Sequence, residues 1–257
     1  MMTSVARAPL RVRFETRRRE LTVVETVRLT PHMQRIVLTG DLTGFQSLGF
    51  DDHIKLFLAD PETGVLTLPG LDSGPKPVMR DYTPRRFDVA KGQLTLDFAL
   101  HGDSGPATAW ALAAKPGDIL NIGGPRGSQI LPDGYDGFVL MGDETALPAI
   151  GRRLEELPAG TPVTVLAEIE NDEDRQDWQT QAKATVRWIV RGKGENLVAA
   201  AASLALPEGD VHIWVAAEAQ TARTIRQALI DRGAAAKSLK AAGYWHRGAV
   251  AAHEPIE

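Results

Sequence analysis

One change of hydrophobic period divides this 257-residue chain. Before Leu131-Pro132-Asp133-Gly134 the apolar residues mostly recur at every second position. After it, short apolar runs alternate with stretches of helical spacing. Period two sends successive side chains to opposite faces of a strand, whereas period 3.6 gathers them on one face of a helix. No single sheet or bundle satisfies both patterns. The chain therefore has to build an all-β unit followed by an α/β unit.

In the first unit, residues 21–29 and 33–39 are rich in β-branched side chains and flank Thr30-Pro31. His53 to Leu58 alternates and runs into Asp60-Pro61-Glu62-Thr63-Gly64, a turn signal. Leu94, Leu96, Phe98 and Leu100 alternate with Gln93, Thr95, Asp97 and Ala99, and Asp118 to Ile122 is a further short strand. Only residues 106–114 look helical. Many short strands with one helix predict a small antiparallel barrel. The segment Leu71–Pro77 reads as a loop within it.

In the second unit Phe138 to Met141 is a buried strand, and Leu147, Ile150, Leu154 and Leu157 follow at helical spacing. Strands are expected at 162–169, 185–190 and 211–216, with alanine-rich helices at 199–205 and 233–242. This alternation predicts a parallel sheet covered by helices on both faces. The units are placed at 20–133 and 134–257.

Residues 1–19 form a basic leader. Within it, Arg7, Arg11, Arg13, Arg17, Arg18 and Arg19 face one acid, Glu15. A solvated tail is expected there; a transit peptide or an arm for anionic surfaces would also fit.

The chain has no cysteine, which excludes thiolate catalysis, disulfides and cysteine-held zinc or iron–sulfur clusters. The six histidines show no metal-binding spacing. A net charge of −4 does not favour nucleic acid. No apolar run is long enough for an integral membrane segment, and the N-terminus lacks a secretory core.

Chemistry concentrates in two stretches of the first unit. Arg80-Asp81-Tyr82-Thr83-Pro84-Arg85 places a cation, an aromatic ring and a hydroxyl on one extended segment. Alternation sets Arg80 and Tyr82 on one face and Thr83 on the other. His101-Gly102-Asp103-Ser104-Gly105-Pro106-Ala107-Thr108 is a glycine-rich turn leading into a helix. The free N–H groups at such a helix start suit a phosphate, and Thr108 could add a hydroxyl. Read singly, these are a strand edge and a proline-initiated helix. Read together they suit a flat ring system joined to a pyrophosphate, and a flavin dinucleotide fits both halves.

The second unit has no Gly-x-Gly-x-x-Gly fingerprint, and Gly192-Lys193-Gly194 lacks the third glycine. The nucleotide candidate is Gly142-Asp143-Glu144-Thr145 directly after a strand, because ligands of such sheets sit at the strands' carboxyl ends. Asp143 or Thr145 could equally cap the next helix. Arg191 and Lys193 follow another strand. They read either as contacts to a ribose 2′-phosphate, which slightly favours NADPH over NADH, or as loop charges.

These stretches resemble the siderophore-interacting proteins, a flavin-dependent ferric-siderophore reductase family of the ferredoxin reductase superfamily. The resemblance is carried by DDHIKLFL (51–58), RDYTPR (80–85), DFALHGDSGPATAWA (97–111), PGDILNIGGPRGS (116–128), GDETALPAI (142–150) and GYWHRGA (243–249). It implies an FAD-binding antiparallel β-barrel followed by a Rossmann-like parallel-sheet NAD(P)H-binding domain. It also implies electron transfer from NAD(P)H through FAD to siderophore-bound Fe(III) in the cytoplasm.

By that resemblance Arg80, Asp81, Tyr82, Thr83, His101, Gly105, Ala107 and Thr108 serve FAD. Asp143, Glu144, Thr145, Arg191, Lys193 and Glu218 serve NAD(P)H. The cations inside the motifs, Lys55, Arg126 and Arg247, form a mouth for an anionic ferric siderophore of catecholate type. No single catalytic residue is assigned, and a monomer is expected. A general NAD(P)H:flavin oxidoreductase, an electron donor to a protein partner, and an FAD-containing siderophore carrier remain open alternatives.

Overall fold

A computed structural model of the chain describes residues 8–70, 76–100, 105–248 and 254–256. The first unit contains β1 (Leu10–Arg13), β2 (Arg18–Thr30), β3 (Met33–Gly40), β4 (Ile54–Leu58), β5 (Val78–Tyr82), β6 (Arg86–Asp88) and β7 (Gln93–Ala99). Helix α1 (Pro106–Ala113) and strands β8 (Ile119–Gly123) and β9 (Gly127–Ile130) complete it. Seven of these strands form one curled antiparallel sheet in the order β5-β4-β8-β2-β3-β7-β6. Among the described residues its ends, β5 and β6, are not paired, so the barrel stays open along that seam. The alternating apolar positions close on one another inside the curl: Leu21, Ile36, Leu38, Ile54, Leu56, Leu94, Leu96, Phe98, Leu120 and Ile122 are all buried. Ala107 and Ala111 of α1 join this core.

The leader departs from the expected tail. Leu10–Arg13 pairs antiparallel with Gly127–Ile130, and β2 begins at Arg18. Leu10 and Val12 alternate with arginines, so a ladder forms although its apolar contribution is small and Leu10 stays exposed. Within the same leader Arg19 is buried, where its guanidinium donates to the carbonyls of Gly124 and Thr43.

The second unit runs β10 (Gly137–Gly142), α2 (Leu147–Glu156), β11 (Pro162–Ile169), β12 (Lys183–Val190), α3 (Leu197–Ser203), β13 (Val211–Glu218), α4 (Ala219–Asp231), β14 (Leu239–Trp245) and β15 (Glu254–Ile256). Five parallel strands take the order β12-β11-β10-β13-β14, and β15 adds an antiparallel edge. Strand alternation divides the core. Val139, Met141, Leu166 and Val215 meet Leu197, Ala200, Ala222, Ile225 and Leu229 of α3 and α4. Leu140, Val165, Ala167 and Trp214 meet Leu147, Ile150 and Leu154 of α2, together with Met33, Phe50 and Ala99 of the first unit. The first unit thus shares the α2 face of the sheet.

The helix expected at 233–242 is not formed. Helix α4 ends at Asp231, Gly233 adopts φ +92°, and Leu239–Trp245 is a strand that pairs with β13. Alanine favours helix only weakly. Burial of Leu239, Ala241 and Ala242 against the sheet outweighs that preference.

Charged groups pin the two units together. Arg152 donates to Ser47 Oγ (2.7 Å), Ser47 O (2.8 Å) and Pro84 O (3.1 Å). Glu155 accepts bidentate bonds from Arg85 and from Arg86. Burial would raise the Glu155 carboxyl, but the bonds and charges of these two arginines outweigh it and pull it down to about 2. Arg85, the last residue of RDYTPR, is therefore a docking residue, buried at the interface between the units.

Candidate functional site

Strand β5 carries the first candidate. Its register with β4 sets Tyr82 opposite Ile54, Asp81 opposite Lys55 and Arg80 opposite Leu56. The Tyr82 ring packs on Phe98 at 4.4 Å between centroids, and Phe98 packs on Trp110 of α1 at 5.7 Å. Phe98 is fully buried and backs the Tyr82 ring, whose partly exposed side is apolar. Burial pushes the Tyr82 hydroxyl well above its ordinary value, so it stays protonated. Arg80 is half-buried, and its Nη1 donates to the carbonyl of Met79 at 2.8 Å. Desolvation lowers its pKa, and among the described residues no carboxylate hydrogen-bonds it.

Helix α1 starts at Pro106 without a side-chain cap and with no acid in its first turn. A Cβ on Gly105 would meet nothing within 4 Å. Among the described residues the helix start is thus open and uncapped, with no acid in its first turn, which suits a pyrophosphate. Together with the half-buried Arg80 and the Tyr82 ring, these residues fit a flavin dinucleotide. Ala107 and Thr108 are buried beside it, and Thr108 Oγ1 lies 3.5 Å from the carbonyl of Ala99. His101 lies outside the described residues. Asp81 accepts from Lys55 Nζ at 2.7 Å, so its position is tied to the mouth candidate.

The second candidate lies at the carboxyl edge of the parallel sheet. Gly142 ends β10 where a Cβ would come within 2.3 Å of Ala146 Cβ and 2.7 Å of Ala216 O, so only glycine lets the turn pack down. Asp143 Oδ1 accepts from Thr145 N (3.0 Å) and Thr145 Oγ1 (2.5 Å). Its Oδ2 accepts from Glu218 N (2.9 Å) and Trp245 Nε1 (2.8 Å). One buried carboxylate therefore ties the ends of β10, β13 and β14. It folds the turn, whereas the N-cap of α2 is Ala146, with no side-chain bond. Glu218 caps α4 by accepting from Thr221 N at 2.9 Å.

Arg191 and Lys193 are both paired. Arg191 bonds Glu144, Glu168 and Glu170, and Lys193 bonds Asp172. Burial raises the Glu144 carboxyl, an effect that Arg191 opposes. Glu168 and Glu170 are not evident as site residues in the sequence, since nothing in their spacing points to a cation that follows a different strand.

The two candidates touch. Thr83, one residue beyond β5, is buried and hydrogen-bonds Tyr244 of β14. Burial pushes the Tyr244 hydroxyl well above its ordinary range, with the nearby charges of Asp51, Asp52 and Asp143 acting in the same direction. The next residue, Trp245, donates to Asp143. Tyr244 and Trp245 belong to the stretch GYWHRGA, so the signal was present, but only the fold assigns them contacts.

Of the mouth cations, Lys55 pairs in register with Gly123, and the turn from Gly124 leads directly to exposed Arg126. These two lie where β4 begins and β8 ends. Arg247 is exposed beyond β14, where its backbone N–H bonds the Glu218 carboxylate. It stands just past the carboxyl end of β14 in the other sheet. Among the described residues no cluster could hold a metal ion, and no helix is long and apolar enough to cross a membrane.

Comparison with known proteins agrees with this geometry. A family profile described as a siderophore-interacting FAD-binding domain matches residues 22–129, and one described as siderophore-interacting protein matches residues 135–248. The NADPH-dependent ferric-chelate reductase of Escherichia coli K12 is 36% identical, across 95% of this chain and 99% of that protein. Ferric vibriobactin reductase ViuB of Vibrio cholerae is 31% identical across 90% of each chain. A siderophore utilization protein from T. fusca superposes with a TM-score of 0.87 at 36% identity, covering 97% of this chain and 98% of that one.

Proposed function

We propose that this chain, which belongs to the siderophore-interacting protein family, passes electrons from NADPH through FAD to siderophore-bound Fe(III) and releases Fe(II). One observation carries the reading: the flavin motif and the nucleotide edge are joined by two successive contacts, Thr83 with Tyr244 and Trp245 with Asp143. A ring system laid along β5 and a nicotinamide at the end of β10 would therefore be neighbours. FAD, when bound, supplies the exchange between a two-electron hydride donor and a one-electron acceptor.

The protein's own residues position and shield. Arg80 and the start of α1, with Gly105, Ala107 and Thr108, would hold the pyrophosphate, and Tyr82 backed by Phe98 would pack the ring system. Thr83 and Asp81 fix the strand on which these sit. Asp143 and Thr145 shape the turn that receives the nicotinamide nucleotide. Glu144, Arg191, Lys193 and Glu218 border it.

Lys55, Arg126 and Arg247 would draw an anionic ferric chelate, of catecholate type, toward the exposed edge. Reducing Fe(III) to Fe(II) removes one unit of charge and weakens its attraction to anionic oxygen ligands, which frees the iron. A monomer working in the cytoplasm suits this role.

Anaerobic stopped-flow spectroscopy of the yellow holoprotein tests the proposal. NADPH should bleach the flavin absorbance, and a ferric tris-catecholate should restore it. A flavin that NADPH leaves unbleached would point to a carrier. Recovery with free flavin or cytochrome but not with ferric chelates would point to a general flavin reductase or a donor to a protein partner.

A further inference from the structure

We infer that the carboxylates of Glu144, Glu168 and Glu170, by holding Arg191, determine how strongly the site favours a nucleotide with a ribose 2′-phosphate over one with a 2′-hydroxyl. This rests on the nucleotide site proposed above and assigns its specificity to named residues.

All three guanidinium nitrogens of Arg191 are engaged. Nε donates to Glu170 Oε2 at 3.1 Å, and Nη1 donates to Glu144 Oε2 at 2.9 Å and to Glu168 Oε1 at 3.0 Å. Nη2 donates to the other oxygen of Glu144. The partners come from adjacent strand ends, because β12, β11 and β10 are neighbours in that order. Glu144 follows β10, Glu168 lies in β11, Glu170 follows it, and Arg191 follows β12.

In sheets of this kind an acid after one strand accepts a ribose 2′-hydroxyl, whereas an arginine nearby accommodates a 2′-phosphate. This chain has both readers, and they are bonded to each other. Three carboxylates against one guanidinium leave the corner net negative. Lys193 and Arg175 share the single carboxylate of Asp172, and the one positive charge they leave reduces the corner's excess of two negative charges without cancelling it. A 2′-phosphate must therefore take Arg191 from carboxylates that also repel it. A 2′-hydroxyl needs only an acceptor. The acids oppose the phosphate and Arg191 attracts it, so preference is set by the balance between them.

Glu170 suits the test because its side chain is 44% exposed, against 7% for Glu144 and 13% for Glu168. Glu168 also accepts from Leu197 N at 2.5 Å and so anchors α3. Calorimetry on the FAD-loaded protein would compare 2′,5′-ADP with ADP, and flavin reduction would give KM for NADPH and NADH.

For Glu170→Gln, binding of 2′,5′-ADP should tighten roughly three- to ten-fold, the scale of a partly screened charge contact, with ADP unchanged or slightly weaker. Arg191→Ala should weaken 2′,5′-ADP by roughly ten-fold or more with little effect on ADP. The isosteric Glu144→Gln should act in the same direction as Glu170→Gln. FAD content of each variant reports whether the fold is intact. If the variants shift both nucleotides in parallel, leaving their ratio unchanged, the carboxylates do not read the 2′ position and the inference fails. If the wild-type protein binds neither nucleotide, the proposed nucleotide site itself is wrong, and this inference falls with it.

Discussion

A guanidinium removed from water needs an anion, and among the described residues Arg80 hydrogen-bonds the carbonyl of Met79 and no carboxylate. Its desolvation is the physical reason to expect a phosphate beside it. Arg80→Ala should weaken FAD binding by roughly 1.5–3 kcal/mol, the range for a charge-assisted hydrogen bond. Flavin fluorescence titration measures this, and unchanged affinity would remove Arg80 from the site.

His212 shows the opposite condition at the same scale. It is buried beside Tyr135 and Phe138, with neither ring nitrogen hydrogen-bonded among the described residues. Desolvation pushes its pKa from 6.5 down to about 4, although Asp51 pulls upward. The unfolded chain therefore takes up this proton first as pH falls. Stability contributed by neutral His212 is whole above pH 6.5 and declines between 6.5 and about 4. Tm should fall across that window more steeply for the wild type than for His212→Phe, which cannot titrate. Equal slopes would mean the histidine does not couple to folding.

At the scale of elements, Asp143 is a clasp across three strand ends. Asp143→Ala leaves Thr145 N, Glu218 N and Trp245 Nε1 without their acceptor. It should cost roughly 1–3 kcal/mol of stability. It should also slow flavin reduction by NADPH while sparing FAD content, because the clasp lies on the nucleotide side. Stopped-flow rates and denaturant titration separate the two effects; a loss of FAD with an unchanged reduction rate would place the clasp on the flavin side.

The clasp also marks how far sequence reasoning reached. Runs of β-branched residues located β2 and β3, period-two alternation located β4 and β7, and strand candidates after short apolar runs located β10, β11, β12 and β13, because those patterns are local. Asp143 was visible as an acid after a strand, but its donors lie at 145, 218 and 245. Arg191 was visible as a cation, but its partners at 144, 168 and 170 meet it only once the sheet is assembled. The alanine run before Leu239 misled for the same reason. A weak local preference for helix was overruled by burial on a sheet that the local sequence does not describe.

Across the whole molecule the formal charge is −4, so the mean field repels an anionic chelate, and local cations must reverse it. Lys55 is already paired with Asp81 at 2.7 Å, which makes the mouth sensitive to one further change. Lys55→Glu should raise KM for a ferric tris-catecholate and leave a neutral ferric tris-hydroxamate much less affected. The difference should shrink as salt shortens the reach of charge. Kinetics that ignore both charge reversal and salt would show that Lys55 is not part of the mouth.

Two electrons from one nucleotide have to reach iron singly through this protein. The most direct measurement is anaerobic turnover of the FAD-loaded protein with NADPH, a ferric tris-catecholate and a chromogenic Fe(II) trap, following nucleotide oxidation and trapped iron together. About two Fe(II) should be trapped for each NADPH oxidised, as hydride-to-iron stoichiometry requires, and none without FAD. NADPH oxidation without trapped Fe(II), or Fe(II) formed at the same rate by free flavin alone, would contradict it.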